Sequence, residues 1–254
     1  MKNWSVLGAV AALLACQAVQ AGEEGERWSV SLEPYALITS IDGDASVGRV
    51  TGTDVEVDFG TILETLDFAA MVHVEVFRDD RWGAVLDYGF MNLSADISTA
   101  RGGVVDAKVH QGVLEAFLVR RFRRGPNSFD VYAGVRWWDN DIDVGVDPAV
   151  LPGTLESEVK EDWVDPVIGA RWHHELSDRW QLSLRGDVGG FSVASEFSAA
   201  IGVSAFYRFQ SKLALELAYR ATWVDYDDGT RQMPGYFAYD TVTHGPLIGL
   251  VVNF

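Results

Sequence analysis

The sequence predicts an all-β fold, a transmembrane antiparallel up-and-down β-barrel of about ten strands that follows a cleaved signal peptide. Three observations lead to this fold class. Apolar and polar residues alternate with a period of two along most of the chain, short and long connections alternate between the predicted strands, and aromatic residues gather near both strand ends. Eight and twelve strands are the alternatives for the strand number.

The N-terminus has the pattern of a secretory signal. Lys2 precedes an apolar stretch at residues 6–15, and small residues then lead to Ala21 ahead of an acidic segment. This apolar stretch is too short to be a spanning helix. We therefore predict a signal peptide at residues 1–21 and one barrel domain at residues 22–254. Lipidation of Cys16 is the alternative, because residues 13–16 partly resemble the lipid-attachment box of bacterial lipoproteins.

The first half of the barrel domain contains four predicted strands, each with one apolar and one polar face. They are residues 28–38, 68–76, 82–90 and 111–118. Their apolar faces are, in order, Trp28, Val30, Leu32, Ala36 and Ile38; Phe68, Ala70, Val72, Val74 and Val76; Trp82, Ala84, Leu86, Tyr88 and Phe90; Leu114, Ala116 and Leu118.

The second half contains six more predicted strands, at residues 130–137, 165–173, 180–188, 201–208, 213–220 and 246–254. Their apolar faces include Val131, Val135 and Trp137; Ile168, Ala170 and Trp172; Trp180, Leu182 and Leu184; Ile201, Val203 and Ala205; Leu213, Leu215 and Leu217; Ile248, Leu250, Val252 and Phe254. Most of the ten segments approach the roughly 9 to 11 residues that a tilted membrane-spanning strand requires.

The connections between these strands alternate in length. Short ones lie at residues 78–81, 123–128, 175–179 and 210–212, and long ones at 39–67, 139–162 and 226–235, with shorter members near Ala100 and Val193. Transmembrane barrels have tight periplasmic turns and longer extracellular loops, so an even strand number places both termini in the periplasm. Residues 60–67 are the one short helical candidate, and we expect this helix over the barrel mouth or in the lumen.

A soluble barrel with its apolar face turned inward would show the same alternation. Aromatic placement favours the membrane alternative, since interfacial girdles mark both edges of a transmembrane barrel. One predicted girdle is Trp28, Trp82, Phe129, Trp180, Tyr207 and Phe254, and the other is Phe90, Trp137, Trp163 and Trp223. The net charge of −17 argues against a nucleic-acid partner, because phosphate backbones bind clustered Lys and Arg.

The last strand ends on Phe254 after an alternating apolar run, and this ending resembles the terminal signature of Gram-negative outer-membrane barrels. The segments LDFAAMVHVE (66–75), WVDPVIGARW (163–172), RGDVGGF (185–191) and HGPLIGL (244–250) are similar to a group of small proteobacterial outer-membrane proteins of the OmpA-like barrel type. The resemblance implies location in the outer membrane and recognition of Phe254 by the barrel-assembly machinery. It implies no particular activity.

If the apolar face contacts lipid, the polar face lines the lumen and its opposite charges should pair across strands. This predicted network consists of Glu33, Glu75, Asp87, Glu115, Asp130, Arg136, Asp165, Arg171, Arg185, Asp187, Arg208, Glu216 and Arg220. It is either a structural filling of a narrow barrel or a gated polar path for small solutes. Arg185 and Asp187 form an Arg-Gly-Asp tripeptide, and inside the lumen no adhesion receptor could reach it.

The long connections are acidic. Those at 39–67 and 139–162 carry fifteen Asp and Glu residues and only Arg49 and Lys160 as basic residues. Such oxygens suit Ca²⁺ or Mg²⁺ near lipopolysaccharide. Residues 139–143 resemble the start of a calcium loop, but Val144 and Leu151 stand where Gly and Glu are needed. We therefore predict solvated loops, no metal or cofactor site, and lipid and lipopolysaccharide as partners, with divalent cations at the loops as an alternative.

These patterns predict a non-enzymatic envelope protein with a structural or surface-interaction role. The alternatives are a narrow channel for small solutes and a hydrolase acting at the barrel rim. For the hydrolase the sequence offers His110 and the acidic cluster Asp225, Asp227 and Asp228. No arrangement of Ser or Cys with His emerges at a spacing that predicts a catalytic triad.

Overall fold

The structure is a computed structural model that describes residues 28–47, 50–98, 104–147, 155–231, 233 and 235–254. The predicted signal peptide and Cys16 lie outside these residues. Within the described part, no helix is long and apolar enough to cross a membrane.

The chain forms a closed antiparallel barrel that is ten strands in circumference, although interruptions near the N-terminus divide it into twelve labelled strands. The strands are β1 (Trp28–Leu37), β2 (Ser40–Val47), β3 (Val50–Val57), β4 (Leu66–Arg78), β5 (Trp82–Ser98), β6 (Val104–Arg124), β7 (Asn127–Asp147), β8 (Leu155–Glu175), β9 (Trp180–Gly189), β10 (Phe197–Gln210), β11 (Leu213–Asp228) and β12 (Phe237–Asn253). Each strand from β4 to β12 pairs with the next, and β1 closes the ring by pairing with both β4 and β12. The predicted number of about ten strands is confirmed.

The first strand of the barrel is interrupted at residues 38–39, where the chain bends, and its two parts are β1 and β2. β1 and β2 both pair with β12, and the Ile38 amide donates to the Pro246 carbonyl at 2.8 Å between them. The neighbouring residue on β12 is Gly245, where a Cβ atom would overlap the Ile38 carbonyl oxygen. The bend therefore depends on the missing side chain of Gly245.

Beyond the bend, β3 pairs with β2, and a short helix, α1 (Phe59–Thr65), connects β3 to β4. Asp58 caps this helix by accepting a hydrogen bond from the Thr61 amide at 3.1 Å. Ile62 is buried against Ile41 and Met91. The helix predicted at residues 60–67 is thus present at residues 59–65, and Ile62 packs inside the barrel mouth, whereas Leu63 is exposed.

The two ends of the barrel differ. At one end, here called the turn end, two to four residues connect β4 to β5, β6 to β7, β8 to β9 and β10 to β11, and β1 begins and β12 ends there. The opposite end, the loop end, carries the longer connections. The prediction of a loop over residues 139–162 was too long, because β7 continues to Asp147 and β8 begins at Leu155. In this extension Asp139 and Asp141 alternate with other residues at a strand period, so their acidity indicates the outward face of a strand instead of a loop.

Large apolar side chains face outward around the barrel. Trp28, Trp82, Phe129, Trp180 and Phe254 are exposed near the turn end. Trp163 does not belong to the second girdle, because it is 5% exposed and faces inward with Asp165. The two residues have the same parity on β8, so the alternation itself predicts this facing.

Candidate functional site

The lumen is filled by charged side chains at mid-height. Arg136 is fully buried and donates to Glu115 Oε1 at 2.6 Å and to Asp187 Oδ1 at 2.7 Å. Arg185 binds the same two carboxylates at 2.6 and 3.0 Å, and its Nε donates to the Tyr132 hydroxyl at 3.1 Å. Two guanidinium groups and two carboxylates therefore neutralise one another, as confinement in a low-dielectric space requires.

A second group lies closer to the turn end and is centred on the fully buried Asp130. Arg121 binds Asp130 with two hydrogen bonds of 2.7 and 2.8 Å, the fork geometry of a strong guanidinium–carboxylate pair. Arg171 donates to Asp130 at 3.0 Å and also to Glu75 on the opposite wall. Arg121 reaches Asp80 in the β4–β5 turn at 3.1 Å, so this group ties the turn to the lumen.

A third group is joined to the second through a histidine. His73 Nδ1 lies 2.8 Å from Asp87 Oδ2, and His73 Nε2 lies 3.0 Å from Glu75 Oε1. Asp87 also accepts from the Tyr35 hydroxyl at 2.6 Å and from Arg220 at 3.4 Å. The hydrogen bonds therefore extend across the lumen from β1 to β8.

Four of the thirteen predicted network residues have other surroundings. Asp165 is fully buried, but its hydrogen bonds in the described chain come from the neutral groups of Trp138 and Ser195. Arg208 donates at 2.8 Å to the backbone carbonyl of Asp178. Glu33 and Glu216 both line the turn-end part of the lumen, with the Glu33 carboxylate over Gly249. Their predicted role as ion-pair partners stays a prediction.

The sequence interpretation omitted several inward groups. Arg121 and His73 have the parity of Glu115 and Glu75, so the alternation would have placed both in the lumen. An apolar cluster of Phe77, Val85, Phe117, Val119, Tyr132 and Val167 also lies inside. The sequence feature that predicts this inward apolar cluster is an unbroken apolar run, as in residues 116–119, where both faces of a strand are apolar. The Arg121 guanidinium stacks on the Phe77 ring, 3.9 Å from the ring centroid, which joins this cluster to the charges.

Aromatic side chains fill the lumen toward the loop end. Trp163 stacks on Tyr226 with ring centroids 3.8 Å apart, and Trp138 lies 5.7 Å from Trp163. Phe237 and Tyr239 complete this aromatic cluster, and Phe237 is 1% exposed. Stacked rings at such spacings leave little room for water or a solute.

The connection at residues 190–196 folds into the barrel mouth above the aromatic cluster. Ser195 is fully buried, its amide and hydroxyl donate to Asp165 at 2.9 and 2.8 Å, and its hydroxyl accepts from Trp163 Nε1 at 2.8 Å. Phe191 and Ser192 have φ of 53° and 55°, a left-handed backbone that is unusual outside glycine. The contacts of Ser195 hold this turn inside the mouth.

The lumen is open at the turn end, whereas side chains fill it at the loop end. A cavity of about 300 Å³, here called the turn-end chamber, reaches from the β6–β7 turn up to Arg185 and Arg220. Seven arginines and four glutamates line it, together with His73 and His173. The open part of the lumen is therefore a polar cavity that begins at the turn end and stops at the charged side chains at mid-height.

Three histidines lie on the outer surface, and two of them, His110 and His244, contact carboxylates. His110 Nδ1 is 2.6 Å from Asn92 Oδ1, and its Nε2 is 3.5 Å from Asp139 Oδ2. It stands on β6, five strand positions from β11 and the cluster Asp225, Asp227 and Asp228. The two candidates that the sequence offered for a hydrolase therefore lie on opposite sides of the barrel.

His244, the second of these, forms a linear relay of three residues. His244 Nδ1 lies 2.7 Å from the Tyr219 hydroxyl, and His244 Nε2 lies 2.8 Å from Asp42 Oδ2. His244 is ten residues from Phe254 along β12, which is about the length of one spanning strand. No group of three or more potential metal ligands occurs among the described residues.

Comparison with solved structures agrees with this architecture. The chain is similar to the translocator domain of the autotransporter NalP from Neisseria meningitidis, with 11% identity, a TM-score of 0.50, and coverage of 98% of this chain and 96% of that one. It is also similar to the outer membrane protease OmpT from Escherichia coli, with 6% identity, a TM-score of 0.54, and coverage of 89% and 97%. The chain has the outer-membrane β-barrel fold. At these identities the likeness concerns the fold alone, and no family model and no curated protein sequence matches the chain.

Proposed function

We propose that this chain is an integral protein of the Gram-negative outer membrane with a non-enzymatic structural or surface-interaction role, and that its lumen does not conduct solutes. The observation that carries this proposal is the filled loop end, where Trp163 stacks on Tyr226 and Ser195 is fully buried above them. A barrel of about ten strands is also far narrower than the 16 to 18 strands of open porins.

The proposal includes an orientation. The turn end faces the periplasm with both termini, and the acidic extensions of β7 and β8 face the cell exterior among lipopolysaccharide, which is the asymmetry that outer-membrane barrels share. Phe254 is exposed beside β1, and its amide donates to the Val30 carbonyl at 2.9 Å. Outer-membrane lipid, lipopolysaccharide and the barrel-assembly machinery are the proposed partners.

Conductance in planar lipid bilayers tests the closed lumen. We expect no stable channel events from the wild-type protein, and discrete events from the Trp163→Ala/Tyr226→Ala/Arg136→Ala variant, because these substitutions remove both the stacked rings and the central guanidinium of the charged layer that separate the loop end from the turn-end chamber. Trp223→Ala is the matched control, since Trp223 faces outward and is exposed. Steady wild-type channels would reject the proposal and favour the narrow solute channel.

One observation favours a second candidate, hydrolysis of an outer-leaflet lipid. In the relay, Asp42 orients His244 and His244 contacts the Tyr219 hydroxyl, which is the order of acid, base and nucleophile in catalytic triads. Ionisable groups on a lipid-facing surface are costly and for that reason mark functional sites. The backbone of Ala221 and His244 is paired in the β11–β12 ladder, so this part of the strands offers no free amides for an oxyanion.

Lipid analysis distinguishes this second candidate. Purified protein is incubated with outer-membrane lipids, and released fatty acids or altered headgroups are measured by mass spectrometry for wild type, His244→Gln and His174→Gln. His174 also lies on the outer surface but contacts Asn127 near the turn end. Product that depends on His244 alone would replace the non-enzymatic proposal, and equal absence of product from all three proteins supports it.

A further inference from the structure

We propose that the turn-end chamber is a binding site for a small anion that carries a carboxylate or phosphate group. The proposal concerns the half of the lumen that remains open and does not depend on the role assigned to the loop end. It rests on the charge of the lining, on one buried histidine without a hydrogen bond, and on arginines whose partners are uncharged.

The lining has the opposite charge to the rest of the chain. Seven arginines face four glutamates in the chamber, whereas the whole chain has a net charge of −17. A concave polar surface with an excess of one sign concentrates ligands of the other sign. Five of the seven arginines pair with carboxylates of the barrel wall or turns, and they are Arg121, Arg123, Arg171, Arg185 and Arg220. Arg179 and Arg208 at the chamber entrance have no acidic partner among the described residues, so the available positive charge lies there.

His173 supplies the most specific observation. It is 8% exposed, lines the chamber, and neither of its ring nitrogens has a hydrogen-bond partner. The nearest carboxylate oxygen, Asp130 Oδ2, is 3.6 Å from Nε2, which is beyond hydrogen-bonding distance. Buried polar groups normally have partners, so a buried imidazole beside a cavity indicates a missing acceptor from a ligand.

The arginines at the chamber entrance provide the charge. Arg208 donates to the backbone carbonyl of Asp178, and Arg179 lies 3.4 Å from the Tyr207 hydroxyl. Both side chains line the chamber, and these hydrogen-bond partners are neutral, unlike the carboxylate partners of Arg121 and Arg171 deeper inside. Arginine is the side chain best suited to carboxylate and phosphate, because its planar fork binds two oxygens at once.

The size of the chamber limits the ligand. A volume of about 300 Å³ is at the lower end of the range for small-molecule sites, and each water takes roughly 30 Å³ of liquid volume. The chamber therefore suits a small organic acid or phosphate ester, and excludes a folded domain or a lipid with its chains. The entrance lies beside the β6–β7 turn and Arg179, so the ligand enters from the side that we propose to be periplasmic.

Nuclear magnetic resonance on the full mature barrel, refolded in detergent micelles and labelled at histidine, tests the site. The probes are inorganic phosphate, acetate and, as a neutral compound, glycerol. We expect a saturable shift of the His173 ring resonances with phosphate or acetate, no shift with glycerol, and no saturable shift of His174, the adjacent histidine on the outer surface. Preference between phosphate and acetate identifies which anion chemistry the chamber takes.

Arg208→Gln is the decisive variant, because it removes charge at the entrance without touching His173. It should weaken anion binding at least about tenfold, which corresponds to 1.4 kcal/mol, and Arg208→Lys should restore part of the affinity. Arg124→Gln, an exposed position outside the chamber lining, is the control and should bind as wild type. Retention of the heat-dependent gel shift shows that each variant is folded. Absence of a saturable His173 shift with both anions, or unchanged affinity in folded Arg208→Gln, would overturn the proposal.

Discussion

Arg136 is one of three charged residues in the described lumen that have no exposed surface, together with Asp130 and Asp165. Its guanidinium is fully buried between Glu115 and Asp187, which lie on strands to either side of β7. Taking such a group out of water is costly, and only the two carboxylates compensate for this cost. The residue therefore links three regions of the barrel wall through charge.

The variant Arg136→Met should lower the free energy of unfolding by about 3 to 5 kcal/mol, since Arg185 alone then remains to offset two buried carboxylates. Urea titration of the barrel refolded in lipid vesicles measures the change. Arg124→Met, at an exposed position, should alter it by less than about 0.5 kcal/mol. A midpoint for Arg136→Met equal to that of the control would contradict the assignment of Arg136 to a stabilising network.

Parity predicts the facing of individual residues but not their partners. The sequence places Arg185 and Asp187 on the inner face, and in the structure both contact Glu115 or Arg136 there. It does not show that Arg171 on β8 reaches Glu75 on β4 across the lumen, because that contact depends on barrel closure and side-chain length. The girdle prediction for Trp163 is wrong for a different reason, because an aromatic side chain fits both a lipid interface and a packed lumen, and only the parity that Trp163 shares with Asp165 indicates the inward face.

Among the connections between strands, the one at residues 190–196 is kept inside the barrel mouth by a single side chain. Ser195 has the only buried side chain of this connection in the described structure, and its hydroxyl links Asp165 to Trp163. A hydrogen bond to a charged group contributes about 1.5 to 3 kcal/mol. The loop should therefore leave the mouth when this hydroxyl is removed.

Ser195→Ala should increase cleavage of this loop by protease added to intact cells, because the free loop becomes accessible. Ser192→Ala is the matched control, since Ser192 is exposed and its hydroxyl contacts only Glu196 at 3.3 Å. The measurement is the amount of barrel fragment on a denaturing gel over time. Equal cleavage of the two variants would show that the backbone of the loop, and not Ser195, fixes its position.

The extent of the strands was predictable only in part. The short turns follow from the breaks in alternation, as at residues 125–126, where Gly125 adopts a φ of 59°. The extensions beyond the membrane were missed because Asp139 and Asp141 are polar on the outward face, so the contrast between an apolar and a polar face disappears. Hydrogen bonding to neighbouring strands continues there, and the outward carboxylates instead meet His110 and Lys160.

Closure of the barrel depends on the pairing of the first and last strands, β1 and β12. Ser31 on β1 is opposite Asn253 on β12, and both have inward parity. Directly opposed residues of antiparallel strands have Cα atoms about 4.5 to 5.5 Å apart, which is within disulfide range.

The double variant Ser31→Cys/Asn253→Cys should therefore form an intramolecular disulfide in the folded barrel. The product should migrate differently on a denaturing gel without reductant, and return to the wild-type position with reductant. Ser31→Cys/Ser183→Cys is the control, since Ser183 lies on β9, away from β1 in the ring. Failure of the first pair to cross-link, or equal cross-linking of both, would contradict closure between β1 and β12.

Phe254 tests whether the chain end serves assembly or stability. Its ring is half exposed to the lipid side, and only its amide contributes to pairing, through Val30. An exposed ring stabilises the folded barrel little, whereas the resemblance to outer-membrane barrels implies that the ring is recognised by the assembly machinery.

Phe254→Ala should therefore reduce the amount of protease-resistant barrel in the outer membrane of cells several-fold, while Phe254→Tyr retains it. Both variants should refold into lipid vesicles with the wild-type yield, because no machinery is present there. Equal losses in cells and in vesicles would assign Phe254 to stability instead of assembly.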